Sequence, residues 1–284
     1  MSGPTAWTPL ELVRWTTGYF RRNGLETPRL DAEILLAHVL GVRRIDLYLQ
    51  FDRPVGKTER ERYREFVRRR AVDRVPVAYL TEEREFWCNP LRVHPGALVP
   101  RPETEGVVEA VLELRPARVV DVGTGCGAIA CAVALQLPEA EVFAVDRSRA
   151  ALRLARENIE RLNLAGRVRL VAADLLSSLD TGVDVVAANL PYVPTAELAT
   201  LPPEVSHEPQ IALDGGHDGL DLLRRLIGES PRLLRKPGAI VLEVGEGQAG
   251  TVEALVRAEG FHPVEVRKDL AGLERVVIGR LVEG

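Results

Sequence analysis

The segment Val119-Val120-Asp121-Val122-Gly123-Thr124-Gly125-Cys126-Gly127-Ala128 carries the strongest structural signal in this chain of 284 residues. Its first half is an apolar, β-branched run typical of a buried strand, and three glycines then precede a helix-forming stretch. Glycines at such a turn allow a ligand to lie against bare backbone at the carboxyl end of the strand. The segment therefore predicts an α/β sheet with a nucleotide-type pocket.

Further apolar runs alternate with helical patterns on both sides of this segment. The strand-like runs cover residues 118–122, 141–145, 168–172, 183–188 and 239–244. Such alternation predicts a parallel sheet with helices on both faces. The last two runs, 261–267 and 273–279, follow each other without a helix, so we expect an antiparallel pair at the end of the sheet.

The amino-terminal part of the chain shows helix signals instead. Thr8-Pro9-Leu10-Glu11 and Thr27-Pro28 are typical helix starts, and Gly24 and Gly41 are typical stops. Thr58-Glu59-Arg60-Glu61 predicts a third capping box at the start of an Arg-rich helix. A small helical domain is therefore expected at this end of the chain.

Three parts follow from these patterns. Turn signals among apolar residues predict a β-hairpin connector over 79–100. The expected organisation is a helical amino-terminal domain over 1–78, the connector, and the α/β domain over 101–284.

Charge is distributed unevenly over these parts. The whole chain has 37 Lys and Arg against 41 Asp and Glu, a net charge of −4, which argues against a strongly cationic nucleic-acid binder. Residues 1–78 have 15 basic and 10 acidic side chains, and residues 79–284 have 22 and 31, giving +5 and −9. The positive charge of residues 1–78 is compatible with contact to an acidic partner or RNA. The alternative is that these side chains only form a solvated helix face.

Cysteine usage and the chain's start predict a cytoplasmic protein. Cys88, Cys126 and Cys131 lack the spacing of zinc ligands or of a paired framework, so we expect neither a metal site nor a disulfide. Met1 to Thr5 lacks the basic and apolar regions of a signal peptide. The stretch 119–137 is long enough for a membrane span, but its acid and glycines indicate a strand, a turn and a helix start.

An acid at the end of the next strand supports the nucleotide-type pocket. Asp146 follows Gly123 by 23 residues, a position from which a carboxylate can accept hydrogen bonds from both ribose hydroxyls. The pattern Gly123-x-Gly125-x-x-Ala128 also satisfies the relaxed dinucleotide fingerprint, and glycines can serve a tight turn alone. A glycine at 127 and a further acid, Asp174, suitably placed for adenine, favour S-adenosylmethionine (SAM).

A second motif, Asn189-Leu190-Pro191-Tyr192, follows the strand predicted over 183–188. Its carboxyl end belongs at the same sheet edge as the glycine loop, where ligands of open α/β sheets bind. Asn189 Oδ1 and the Leu190 carbonyl can accept the two N–H bonds of a planar amide or amidine, and Tyr192 can pack on it. The alternative is a strand-ending turn. The motif predicts methyl transfer to an sp² nitrogen, with no metal required.

Taken together, the motifs resemble those of the PrmC/HemK family, the glutamine-N5 methyltransferases of peptide chain release factors. The resemblance covers essentially the whole chain. The matching segments are residues 76–81, 85–87, 99–105, 123–130, 189–192, 208–209, 212–213, 215–216 and 218–220. Leu190 replaces the family's usual Pro, and Glu82 replaces a Gly.

The resemblance implies a function in translation termination. It implies a Rossmann-like, seven-stranded sheet with one antiparallel strand, and methylation of the glutamine in the Gly-Gly-Gln motif of class I release factors. It also assigns the catalytic segment that holds this glutamine to Asn189, Leu190, Pro191 and Tyr192. The residues implied in SAM binding are Gly123, Thr124, Gly125, Cys126, Gly127, Asp146, Asp174 and Asn189.

Other functions remain compatible with the motifs. An adenine-N6 or cytosine-N4 methyltransferase would use a similar Asn-x-Pro-Tyr segment on a flipped base, although the −9 charge of residues 79–284 opposes direct nucleic-acid binding. A nicotinamide oxidoreductase and a non-catalytic binding protein are further alternatives. Four further residues fall in family-like motifs: Arg101, Thr104, His207 and Glu208. Each of them either lines the site or only supports the structure.

Overall fold

A computed structural model describes residues 7–180 and 182–282 of the chain. The predicted absence of a signal peptide concerns Met1 to Thr5, which lie outside the described residues. Contacts divide the chain into two compact units. One comprises the chain up to Glu82 together with Pro203–His207, and the other comprises Glu83–Pro202 and Glu208 onward.

The first unit is helical. Its helices are α1 (Pro9–Arg22), α2 (Pro28–Leu40), α3 (Asp46–Leu49), α4 (Lys57–Ala71) and α5 (Val77–Thr81). The Thr8 capping box is present at α1, and Gly41 ends α2 in the left-handed conformation. Residues 79–81, expected in the connector, lie in α5.

The predicted capping box at Thr58 is wrong. Helix α4 begins one residue earlier, at Lys57, and its N-cap is Gly56. The Glu59 carboxylate accepts a hydrogen bond from the Gly56 N–H, with an N···O distance of 2.7 Å. The carboxylate that accepts the hydrogen bond from the N-cap N–H is that of Glu59 and not that of Glu61. Thr58 therefore lies inside the first turn of the helix.

The second unit opens with the predicted hairpin. Strands β1 (Glu83–Phe86) and β2 (Asn89–Arg92) pair antiparallel. The large sheet then contains β3 (Arg118–Val122), β4 (Glu141–Asp146), β5 (Val168–Ala172), β6 (Val183–Ala188), β7 (Leu234–Glu243), β8 (Val264–Lys268) and β9 (Glu274–Leu281). The strand order is β5-β4-β3-β6-β7-β9-β8, and β9 is antiparallel to both of its neighbours. The predicted α/β sheet with one antiparallel strand is confirmed.

Helices cover this sheet and complete the core. They are α6 (Glu105–Leu114), α7 (Ala128–Gln136), α8 (Arg149–Arg161), α9 (Asp221–Leu233) and α10 (Ala249–Ala258). Apolar residues of the central strands pack with Leu223 and Leu226 of α9 and with Val252 of α10 in one buried cluster. Burial of these strands explains their continuous apolar runs.

The order of the strands determines where a ligand can bind. From β3 the chain proceeds outward to β4 and β5, and it then returns to the other side of β3 as β6. The carboxyl ends of β3 and β6 therefore border a topological switch point, which is the crevice where open α/β sheets bind ligands.

Candidate active site

A cavity lies at this switch point. Most residues that the sequence analysis assigned to the site line it. These are Gly123, Thr124, Gly125, Cys126, Asp146, Asp174, Asn189, Leu190 and Pro191. Gly127 and Tyr192 are not among its lining residues, whereas Arg101 and Thr104 are.

The glycine loop needs its glycines for conformation and for space. Gly123 has φ +73°, and a Cβ placed there would come within 2.8 Å of Leu190 Cδ2. Gly127 has φ +85° and faces Ala155 of α8, at 3.3 Å from such a Cβ. Gly127 thus serves close packing between the loop and α8, while Gly123 serves contact between the loop and the segment after β6.

Asp121 supports the loop from inside the sheet. Its Oδ2 accepts hydrogen bonds from the Thr124 hydroxyl at 2.6 Å and from the Ala130 N–H at 3.1 Å. Burial raises the pKa of this carboxyl to about 7, against the lowering effect of these hydrogen bonds. Asp121 was not among the residues expected in the site, although an acid inside an apolar strand run is a signal that could have indicated it.

Asp146 lies beside the cavity at the end of β4. Its Oδ2 accepts from the Gly125 N–H at 3.0 Å, and its Oδ1 accepts from the Ser148 N–H at 2.7 Å. Burial is the main cause that raises its pKa, and the two backbone donors oppose it. The carboxylate therefore joins the glycine loop to the turn after β4, and its contact with a ribose stays a prediction.

Asp174 differs from Asp146 in its surroundings. Its side chain is about half exposed, and its Oδ2 lies 2.7 Å from Arg225 Nη2. This pairing partly neutralises the acid at the rim of the cavity. The predicted contact with adenine stays a prediction.

Asn189 is held by a neighbour distant in sequence. Its Nδ2 donates a hydrogen bond to Thr104 Oγ1 at 2.9 Å, and Thr104 is buried just before α6. Because the amide uses its nitrogen for this bond, Oδ1 is the acceptor that Asn189 can offer a ligand. The predicted amide acceptor is therefore possible at this position.

The rest of the Asn189–Tyr192 segment is also fixed by packing. The Leu190 side chain is buried against Gly123. The Tyr192 carbonyl accepts from Gln248 Nε2 at 2.9 Å, while Gln248 Oε1 accepts from the Gly245 N–H at 2.9 Å. Burial raises the pKa of Tyr192.

An ion pair stands next to this segment. Arg101 Nη2 lies 2.6 Å from Glu208 Oε1, and the other oxygen of this buried carboxylate accepts from the Val99 N–H at 3.3 Å. Arg101 thus both lines the cavity and anchors the segment before α6. His207 belongs to the helical unit, where its Nε2 makes a 2.7 Å hydrogen bond with the Asp73 carbonyl.

Asn158 of α8 is a further support that the sequence analysis did not identify. This buried amide donates to the Cys126 carbonyl in the glycine loop at 2.9 Å and to the Arg92 carbonyl at 3.0 Å. Its Oδ1 accepts from the Arg92 N–H at 2.7 Å. The hairpin strand β2 and the glycine loop are therefore joined through one side chain.

Metal sites and membrane spans are two further features that the described residues lack. Within residues 7–180 and 182–282 no cluster of three or more His, Cys, Asp or Glu side chains is arranged to hold a metal ion. Among the helices of these same ranges, none has the length and apolarity needed to cross a membrane.

Comparison with known proteins identifies the family. The PrmC N-terminal domain family matches residues 11–81, and the family described as methyltransferase small domain matches residues 104–201. A release factor glutamine methyltransferase of Rhodopirellula baltica is 43% identical over 288 residues, covering 97% of each chain. Its counterpart of Geobacter sulfurreducens is 41% identical over 282 residues, covering 98% of each. The chain belongs to the release factor glutamine methyltransferase family.

Solved structures of other methyltransferases share the fold of this chain. A methyltransferase of Pyrococcus furiosus has a TM-score of 0.54 at 20% identity, covering 68% of this chain and 89% of its own. The T. thermophilus 16S rRNA N2 G1207 methyltransferase, solved with AdoMet and guanosine, has a TM-score of 0.53 at 16% identity, covering 70% and 49%. These likenesses confirm the predicted Rossmann-like methyltransferase sheet.

Proposed function

We propose that this chain transfers a methyl group from SAM to the side-chain nitrogen N5 of the glutamine in the Gly-Gly-Gln motif of class I peptide chain release factors. The observation that carries the proposal is the Asn189 amide, held by Thr104 through its nitrogen at the edge of the cavity. Family membership supports the same activity, because the relatives are named release factor glutamine methyltransferases. We place the reaction in the cytoplasm.

The residues of the cavity fit SAM. Gly123 and Gly125 present bare backbone, and the partly buried Asp146 carboxylate offers acceptor positions for ribose hydroxyls beside them. Asp174 stands at the rim, on the side proposed for adenine. When bound, SAM supplies an electrophilic methyl group on a sulfonium.

The protein's contribution to transfer is orientation of the acceptor. An amide nitrogen is a poor nucleophile because its lone pair is delocalised, so catalysis depends on alignment and on exclusion of water. Asn189 Oδ1 and the Leu190 carbonyl accept the two N–H bonds of the glutamine amide and direct its nitrogen. Leu190 suits this role as well as proline would, since its backbone carbonyl is retained and its side chain is anchored on Gly123.

The helical unit is proposed to bind the body of the release factor. Its α4 exposes Arg62 and Arg64, and residues 1–78 have a net charge of +5. Positive charge at an exposed rim raises the association rate with an acidic partner and makes it salt-dependent. Contacts remote from the reacting amide supply binding energy that holds the Gly-Gly-Gln loop in place.

The substrate assignment is tested with tritiated SAM and purified release factors. We expect label on the glutamine of the Gly-Gly-Gln motif, located by mass spectrometry, and none on a release factor in which this glutamine is Glu. Free glutamine should be a poor substrate. Faster methylation of DNA oligonucleotides than of the release factor would contradict the assignment and favour the nucleic-acid alternative.

The role of Asn189 is tested by Asn189→Ala. We expect SAM affinity to stay nearly intact, while single-turnover methyl transfer falls by about a hundredfold or more because the acceptor is no longer oriented. A rate within a few-fold of wild type would mean that Asn189 is only a turn residue.

A further inference from the structure

We infer that the Arg101 guanidinium binds the carboxylate at the methionine end of SAM. The inference rests on the proposed function, since SAM is the cofactor proposed there. It gives a chemical role to Arg101, a residue whose motif left open whether it lines the site or only supports the structure. It also extends the cofactor site beyond the glycine loop and the two acids, to the turn before α6.

Arg101 lies at the wall of the cavity. It is one of the lining residues, together with Gly123 of the glycine loop, Thr104 and Asn189. Its side chain is 33% exposed, so most of it is covered while part of it stays accessible to a ligand. A cation therefore borders the space that is shared by the glycine loop and the segment after β6.

A buried carboxylate holds this cation in place. Arg101 Nη2 donates to Glu208 Oε1 at 2.6 Å, and Glu208 Oε2 accepts a hydrogen bond from the Val99 N–H at 3.3 Å. The Glu208 side chain is only 2% exposed. Because both of its oxygens are engaged, this acid has little freedom to move, and the charge-assisted bond restricts the guanidinium to one position.

The guanidinium has further hydrogen-bond donors. An arginine side chain offers five N–H bonds in a fixed, planar arrangement. Within the described part of the chain, the Arg101 side chain makes a single hydrogen bond, the one from Nη2 to Glu208. The N–H groups of Nε and Nη1 are therefore left to bind a ligand in the cavity.

The charges of the two proposed ligands favour SAM as the partner of Arg101. The Gly-Gly-Gln motif has no charged side chain, and its glutamine amide is proposed to bind Asn189 and Leu190. SAM has one acidic group, the carboxylate of its methionine end. Charge-assisted hydrogen bonds are roughly twice as strong as those between neutral groups. The carboxylate is therefore the ligand group that gains most from Arg101.

Strand order places Arg101 at the end of the cavity where the methionine chain belongs. Asp146 ends β4 and Asp174 follows β5, whereas Asn189 follows β6 on the other side of the glycine loop. Arg101 lies at the Asn189 end, because its carbonyl accepts from the Thr104 N–H at 3.2 Å and Thr104 binds Asn189. In SAM, adenine and the methionine chain are attached at opposite ends of the ribose. A nucleoside bound at Asp146 and Asp174 therefore directs the methionine end toward Arg101.

Arg147 is the other cation among the described residues that line the cavity. It is exposed, and it directly follows Asp146 at the end of β4. Arg147 therefore belongs to the nucleoside end, where SAM has no acidic group. This makes it a matched control for Arg101, since it is a cation of the same cavity that we do not expect to bind the carboxylate.

Two ligands that differ in the carboxylate alone test the inference: SAM and decarboxylated SAM. Their binding to the full chain is measured by calorimetry. Wild type should bind decarboxylated SAM about tenfold or more weakly than SAM. Arg101→Met keeps the apolar stem, and it should weaken SAM about tenfold or more while leaving decarboxylated SAM nearly unchanged. Arg147→Met should retain the preference of the wild type for SAM.

A second variant covers the case in which Arg101→Met leaves the buried Glu208 charge unpaired and fails to fold. Arg101→Met combined with Glu208→Gln removes both charges, and it should lose the preference for SAM in the same way. Three results would overturn the inference: equal binding of the two ligands by wild type, equal weakening of both by the Arg101 variants, or loss of the preference in Arg147→Met. These measurements contain no release factor. Wild type that prefers SAM but leaves release factors unlabelled would contradict the proposed substrate and not this inference.

Discussion

The Leu190 side chain lies over Gly123, so that a Cβ at position 123 would come within 2.8 Å of Leu190 Cδ2. The glycine loop after β3 and the segment after β6 are therefore in direct contact at the switch point of the sheet. One of these segments is proposed to hold the cofactor and the other the acceptor, so their contact fixes the distance between the two halves of the site.

Gly123→Ala should disturb both stability and cofactor binding. A side chain here must adopt φ +73° and displace the buried Leu190, which we expect to lower the free energy of unfolding by about 1–3 kcal/mol. SAM binding, measured by calorimetry, should weaken as the loop moves. Gly228→Ala is the control, since Gly228 lies exposed in α9 with no atom within 4 Å of an added Cβ. That variant should gain about 0.5–1 kcal/mol; equal effects of the two substitutions would contradict the explanation.

Asp146→Ala should weaken SAM binding by ~1.5 to 3 kcal/mol, the loss expected for a charge-assisted hydrogen bond. Asp174→Ala should have a smaller effect, below about 1 kcal/mol, because Asp174 is half exposed and pairs with Arg225. Calorimetric titration of both variants compares these losses directly. A larger loss for Asp174→Ala, or binding of NAD instead of SAM by the wild type, would refute this assignment of the cofactor site.

Asp121 should make stability depend on pH. Its folded pKa, about 7, lies above the ordinary value of 3.8, so the folded state binds more protons than the unfolded state between these values. The contribution of Asp121 to stability therefore falls as pH rises through this window, by at most about 1.4 kcal/mol per pH unit, and is constant above it. Urea unfolding of wild type and Asp121→Asn at pH 5, 6, 7 and 8 measures the difference. A difference that does not change between pH 5 and 7 would show that Asp121 ionises normally.

Charge reversal on α4 tests the docking role of the helical unit. Arg62→Glu combined with Arg64→Glu should raise KM for the release factor about threefold or more at low salt, and leave SAM affinity unchanged. The effect should shrink at high ionic strength because exposed charges are screened. Arg153→Glu combined with Arg156→Glu, on exposed positions of α8, is the matched control. The docking role is rejected if both double variants change KM alike.

Local patterns in the sequence predicted much of the fold. The glycine loop, the strand runs and the Asn189 segment are contiguous, and each carries its own period or turn chemistry. The error at Thr58 arose because two overlapping start signals compete, and Glu59 instead reaches back to Gly56. Which of the two residues, Gly56 or Thr58, becomes the N-cap depends on the rotamer of the Glu59 side chain.

The supports of the site could not be predicted in the same way. Thr104 meets Asn189 across 85 residues, and Asn158 meets Cys126 across 32. Such contacts are set by strand order and by the placement of helices on the sheet, which a single sequence does not specify. Thr104 was a candidate from its sequence motif, but its hydrogen bond with Asn189 could not be predicted.

The glycine loop is held at three points by side chains from three different elements. Asp121 binds Thr124, Asp146 binds Gly125, and Asn158 binds Cys126. Ordering of this loop is therefore part of folding and not of ligand capture, which reduces the entropy lost when a ligand arrives. The cofactor and its demethylated product can then exchange without a refolding step. We therefore expect the heat capacity change of cofactor binding to reflect only the apolar surface that the cofactor covers.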